Sequence, residues 1–300
     1  MIAKKNISKA FFVFLVFHLF LWTLIPSISN INLPLDTIEA LAWGSNLDWG
    51  YNKHPPFSAF AVEIFYQIFG KQDWSYYLLS QIFVITTFII VFKFANEFFK
   101  DTNFAFISVL LLEGIYFYNF TTPEFNVNVS QLPFWALSVY FSWRCLEFKK
   151  NSDFIILGLV IGLGLLSKYL FLYLIIGIKF LFIYFFLKRK KIRLRQFFLT
   201  GFVALLVISP HLIWLIENNF VTVSYGLHRS GGIGTLTNHV VYPLLFILKQ
   251  IIILIPFFLM LFFLIKKISF KKITKNKKIT FLFFTCVIPI ILMLLTSIIM

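Results

Sequence analysis

Nine apolar runs separated by short polar segments order the chain: 10–25, 76–94, 104–120, 132–146, 154–167, 169–187, 197–216, 240–265 and 279–300. A helix needs about 20 mostly apolar residues to cross a bilayer. The pattern therefore predicts an all-α integral membrane protein of about nine spans, one transmembrane domain over residues 1–300. No small-residue cleavage site follows the first run, so it reads as a retained span rather than a signal peptide. Residues 154–187 read as a hairpin of two short helices, because Ser167 and Lys168 interrupt them. A lysine left at the bilayer centre costs about 2.5–3.5 kcal/mol on insertion scales, and the hairpin brings Lys168 to the surface.

Composition sharpens this class. Hydrophobic residues make up 60% of the chain and charged residues 13%, with a mean hydropathy of +0.88, far from a soluble domain, where roughly a quarter of residues are charged. Lys and Arg outnumber Asp and Glu by 27 to 12, but no basic face alternates with soluble structure, so nucleic acid is not the expected partner. The charge reads as topology. Threading the runs alternately places Lys4, Lys5, Lys9, Lys149, Lys150, the run KRKKIRLR at 188–195 and the Lys-rich segment 266–278 on one side. Only Lys53, Lys71, Lys168 and Arg229 remain near the other. By the positive-inside rule the N-terminus is cytoplasmic. Heavy use of Phe, Ile, Lys and Asn suggests an AT-rich bacterial genome, and so a bacterial cytoplasmic membrane. Cys145 and Cys286, both in or beside apolar runs, suggest neither disulfides nor a metal cluster.

Candidate chemistry gathers on the outer side. The first outer loop, 31–75, carries Asp36, Glu39, Asp48, Lys53 and His54 within LPLDTIEALAWGSNLDWGYNKHPPF. The second has Thr121, Thr122, Pro123, Glu124 and Asn126, the hairpin tip has Lys168, and the fourth loop runs from Glu217 through His228 and Arg229 to His239. A carboxylate there can serve as general base to an acceptor hydroxyl or amine, and cations at headgroup level can hold a phosphate leaving group. Asp36 also fits an N-cap with Glu39 at the capping-box position. Lys168 also fits a snorkelling side chain, Arg229 a linker beside SGGIG, and His18 a bundle-facing group within its span.

The order Asp-x-x-Glu-Ala, then about ten residues, then GYNKHPP resembles the bacterial members of the dolichyl-phosphate-mannose protein mannosyltransferase superfamily, glycosyltransferase family 39, which includes the aminoarabinose transferases that modify lipid A. TPEFNVNVSQLPFWALSVYF, GLGLLSKYLFLY and SPHLIWLIENNFVTVSYGLHR resemble three later segments of that family. The resemblance implies a GT-C fold with interfacial helices in the first outer loop. It further implies inverting transfer of a sugar from a polyprenyl-phosphate donor to a glycolipid such as lipid A in lipopolysaccharide, another cell-envelope glycan, or a protein. Asp36 matches the family's catalytic aspartate. The usual Asp-Glu pair is replaced by Asp36-Thr37 with the glutamate at Glu39, which leaves both carboxylates as candidate catalytic groups. Lys53, His54, Glu124, Lys168 and Arg229 are the implied substrate-binding residues. Some relatives bind a divalent metal, for which His54, His211 and His228 are candidate ligands without an identifying spacing. Such relatives are longer, so the chain is expected to be incomplete at its C-terminus. The competing classes are a transporter or lipid flippase, which would carry ionisable groups in several spans and internal repeats, and an envelope assembly subunit without catalysis.

Overall fold

The computed structural model describes residues 4–188, 193–230, 237–264 and 276–299. The basic residues 189–192, the segment 231–236 with most of SGGIG, and most of the 266–278 segment lie outside the described residues. The elements run α1 Lys4–Ser29, α2 Leu35–Gly44, α3 Phe57–Phe69, α4 Asp73–Phe99, α5 Thr102–Leu110, α6 Val127–Glu147, α7 Asn151–Ser167, α8 Phe171–Leu187, α9 Leu194–Glu217, α10 Val221–Ser230, α11 Asn238–Ile253, α12 Ile255–Leu264, α13 Lys277–Leu282 and α14 Ile288–Ile299. A π-helical turn at Phe283–Val287 joins the last two. Among the described residues there is no strand, and the chain is a multi-spanning helical membrane protein.

Among the described residues, each of the nine apolar runs lies largely on helical backbone. By length and apolarity, four helices qualify as spans: Asn6–Ser29, Asp73–Phe99, Leu194–Glu217 and Lys277–Ile298. The pair α11–α12, bent by 40°, makes a fifth. The segment 31–75, where helices are expected, holds α2 and α3. The 154–187 hairpin is present: α7 stops at Ser167, Lys168 takes an extended conformation (φ −162°, ψ 136°), and α8 returns antiparallel, bringing Phe154 and Phe182 to a ring separation of 6.0 Å.

Packing runs in series through α1, α4, α6, α7 and α9, with α8 and α11 against α14. α7 packs closely on α9. A Cβ at Gly158 would lie 2.6 Å from the Thr200 carbonyl oxygen, and one at Gly162 would lie 2.5 Å from Val207 Cβ. This small-xxx-small spacing is how helices approach closely where no hydrophobic effect drives them together. The close fit also lets Thr200 Oγ1 donate to the Phe154 carbonyl at 3.0 Å. Pro210 within α9 deprives the Leu206 carbonyl of its helical donor. Ser209 Oγ supplies a substitute at 2.9 Å.

Two expectations are corrected. The run 104–120 does not form one span: α5 ends at Leu110, and 3-10 turns follow at Leu111–Gly114 and Tyr116–Tyr118. The break lies at Glu113, whose Oε1 sits 2.6 Å from Nδ1 of the buried His18. Asn119 Nδ2 donates to the Glu113 carbonyl and to its Oε2, Thr122 Oγ1 donates to the Asn119 carbonyl, and Gln81 Nε2 and Ser80 Oγ donate to Thr122. Satisfying these polar groups inside the bundle outweighs continuing the helix. Arg229, in turn, belongs to no loop: it lies in the last turn of α10.

Candidate active site

The site forms where four chain segments meet at one end of the bundle. Proline sets the first. Pro34 takes the N-cap position of α2 with no side-chain cap, so Asp36 is not the N-cap that its spacing to Glu39 suggested. It stands in the first helical turn instead, where the helix dipole favours a negative charge. The missing cap comes from the second outer loop: Glu124 Oε1 accepts from the Asp36 backbone N–H at 3.2 Å. Beside it, Thr37 Oγ1 donates to the Phe125 carbonyl at 3.2 Å.

Asn126 completes this junction. Its Oδ1 caps α6, accepting from the backbone of Asn128 (2.9 Å) and Val129 (3.2 Å). Its Nδ2 donates to Asp36 Oδ2 at 3.2 Å and to Glu124 Oε2 at 3.4 Å. All four hydrogen-bonding capacities of the amide are thereby used, and the two carboxylates are held side by side.

One turn along α2, Glu39 is engaged with Lys53 through an Nζ–Oε1 ion pair, not with the helix N-terminus. The carboxylate holds the Lys53 pKa above its ordinary value. His54 packs edge-on to Trp43 (6.0 Å), and Trp43 stacks on Tyr51 (5.4 Å, 13°). Burial, and then the nearby Lys168 cation, push the His54 pKa down to about 4. His54 is therefore a neutral wall of the site rather than a cation for phosphate. Asp36, Glu39, Trp43, His54, Ser58, Asn126 and Val127 line one small pocket. Asp48 is an exposed loop acid whose Oδ1 accepts from the Trp49 N–H at 2.8 Å.

Lys168 reaches in from the hairpin tip, where its Nζ donates to Asn128 Oδ1. Burial first, and Arg229 second, lower its pKa to about 8, with Asp36 opposing them. Arg229 arrives from α10, its guanidinium 3.4 Å from the Tyr225 hydroxyl. Two cations thus stand near a carboxylate with few groups to neutralise them, an arrangement suited to a doubly charged phosphate.

His211 is not available as a metal ligand. Both its ring nitrogens are occupied, Nδ1 by the Trp49 carbonyl and Nε2 by the Tyr169 hydroxyl, each at 2.6 Å. Among the described residues no three His, Cys, Asp or Glu side chains form a metal-holding group, so His54, His211 and His228 do not assemble into a ligand set.

All seven expected site residues lie on segments that reach this end of the bundle. Direct hydrogen bonds join Asp36 with Glu124 and Glu39 with Lys53, while His54, Lys168 and Arg229 interact electrostatically with one another. Sequence reading missed the part played by Asn126. The signal was present in Asn-x-x at the start of a helical run, but nothing local tied it to Asp36.

The family model described as dolichyl-phosphate-mannose-protein mannosyltransferase matches residues 53–214, just over half the chain. Comparisons with curated proteins and with solved structures give no match. The matched stretch includes Lys53, His54, Glu124, Asn126, Lys168 and His211, while Asp36, Glu39 and Arg229 lie outside it.

Proposed function

Since the chain belongs to the dolichyl-phosphate-mannose-protein mannosyltransferase family, and is thus a membrane glycosyltransferase of the GT-C type, we propose that it moves a sugar from a polyprenyl-phosphate donor to a glycolipid, glycan or protein acceptor at the outer face of a bacterial cytoplasmic membrane. The observation that carries this reading is the juxtaposition of Asp36, fixed through Oδ2 by Asn126, with Lys168 and Arg229.

In the proposed step Asp36 Oδ1 takes the proton of the acceptor hydroxyl or amine as that atom attacks the anomeric carbon. The new glycosidic bond forms as the bond from the anomeric carbon to the phosphate oxygen breaks. Polyprenyl phosphate leaves with the electron pair, and its added negative charge falls to Lys168 and Arg229. A single displacement inverts the anomeric configuration. Glu124 sets the N-terminus of α2, and through it the carboxylate of Asp36. Glu39 holds Lys53 at the mouth, and neutral His54 closes the pocket wall.

The test is mass spectrometry of lipid-linked sugars and surface glycans from cells lacking the protein, complemented with wild type or Asp36→Asn. One polyprenyl-phosphate sugar should accumulate and one glycan or protein should lose a sugar, with only the wild type reversing both. Unchanged pools in the deletion strain would overturn the reading.

A further inference from the structure

A second polar junction lies behind the site, built from residues that the proposed chemistry does not use. His211 is fully buried on α9, directly after Pro210. The Trp49 carbonyl can only accept, so Nδ1 carries the hydrogen. In the neutral ring, Nε2 then accepts from the Tyr169 hydroxyl. One imidazole thereby joins the first outer loop to the hairpin tip, contacting each segment a few residues or fewer from a cation assigned to substrate: Trp49 precedes Lys53, and Tyr169 follows Lys168. The surrounding contacts hold the first-loop segment against α9 and the start of α10. A Cβ at Gly50 would fall 2.3 Å from the Trp214 ring, His211 and Trp214 stack nearly parallel (6.1 Å, 13°), and the buried Thr222 donates through Oγ1 to the Tyr51 carbonyl. Residues 49–51 are thus held at three points, through the Trp49 carbonyl, Gly50 and the Tyr51 carbonyl.

We propose that His211 is a positioning residue that sets the spacing between the Glu39–Lys53 pair and Lys168, and so determines how tightly the polyprenyl-phosphate headgroup is held. The inference rests on the donor reading above.

Bond counting supplies the variants. The amide nitrogen of Asn stands two bonds beyond Cβ, as Nδ1 does in His, and that of Gln stands three bonds beyond, as Nε2 does. His211→Asn therefore keeps the donor to Trp49 and loses the Tyr169 bond, whereas Tyr169→Phe removes that same bond from the other side, together with the hydroxyl's hydrogen bond with Thr222. Binding of polyprenyl monophosphate to the full chain in detergent should weaken about tenfold in each, a loosened site costing up to about a hundredfold. The double variant should bind no worse than Tyr169→Phe alone, because the bond that His211→Asn deletes is already gone in Tyr169→Phe. Amide hydrogen exchange should stay slow at residues 49–51 in His211→Asn and rise in His211→Ala. Independent, multiplying losses in the double variant, or unchanged binding in both singles, would overturn the proposal. If the wild-type protein binds no polyprenyl monophosphate, the donor reading fails instead, and exchange still decides whether His211 anchors the loop: no rise in His211→Ala overturns it.

Discussion

Asn126 Nδ2 lies 3.2 Å from Asp36 Oδ2 across 90 residues of sequence, while the other face of the same amide caps α6. This makes Asn126 testable in two ways at once. Asn126→Asp keeps a good N-cap, so thermal stability in detergent should change little, whereas transfer should fall on the order of 10²-fold because a donor beside Asp36 becomes a third carboxylate. Asn126→Ala should also lose about 1 kcal/mol of stability with the cap. Equal activity in Asn126→Asp and wild type would show the Asp36 contact to be incidental.

The choice between the two first-loop carboxylates is open to direct experiment. Asp36→Asn should abolish transfer with membrane insertion intact, because size and polarity persist while the base is removed. Glu39→Gln, which releases Lys53, should retain transfer within about tenfold and change stability little, since a partly exposed pair is screened. Loss of transfer in Glu39→Gln with retention in Asp36→Asn would reverse the roles.

Lys168 predicts a pH dependence. The charged form exists below its pKa of about 8, so affinity of the unliganded protein for polyprenyl phosphate should fall as pH rises through about 8 rather than near the usual 10.5. Asp36, Arg229 and His54 face it, and His54, with its pKa pushed down to about 4, is already neutral in that interval. Lys168→Arg should carry the decline well upward, because guanidinium stays protonated. An unchanged profile in Lys168→Arg would assign the titration elsewhere.

The α7–α9 contact makes a stability prediction. Gly162→Val should lower folded yield and cost roughly 1–3 kcal/mol, since Val207 Cβ already occupies the space. Gly201→Ala meets nothing within 4 Å and should be neutral or stabilising by up to about 1 kcal/mol, helix propensity alone being at stake. Melting of both variants in the same detergent compares them.

What the sequence made legible follows from how local each signal is. The hairpin at Lys168 was readable because a lysine amid apolar residues has one inexpensive place to be. The two first-loop helices and the residue set around HPP came from motif and resemblance. Asp36 as N-cap failed because Pro34, two residues earlier, already opens the helix, and the cap group sits 88 residues away in Glu124. The span at 104–120 failed because Glu113 finds His18 in another helix. His211, read as a candidate metal ligand, is consumed by Trp49 and Tyr169, partners that no local spacing connects to it. Pro34 and the helical placement of Arg229 are local; the other misses turn on tertiary hydrogen bonds, which a residue's own neighbours do not encode.

The Glu124 cap on α2 has a consequence for biogenesis. Synthesis runs from the N-terminus, so α2 is made before Glu124, which lies 88 residues beyond Asp36. The Asp36 N–H gains its Glu124 partner, and its carboxylate the Asn126 donor, once that later segment is in place.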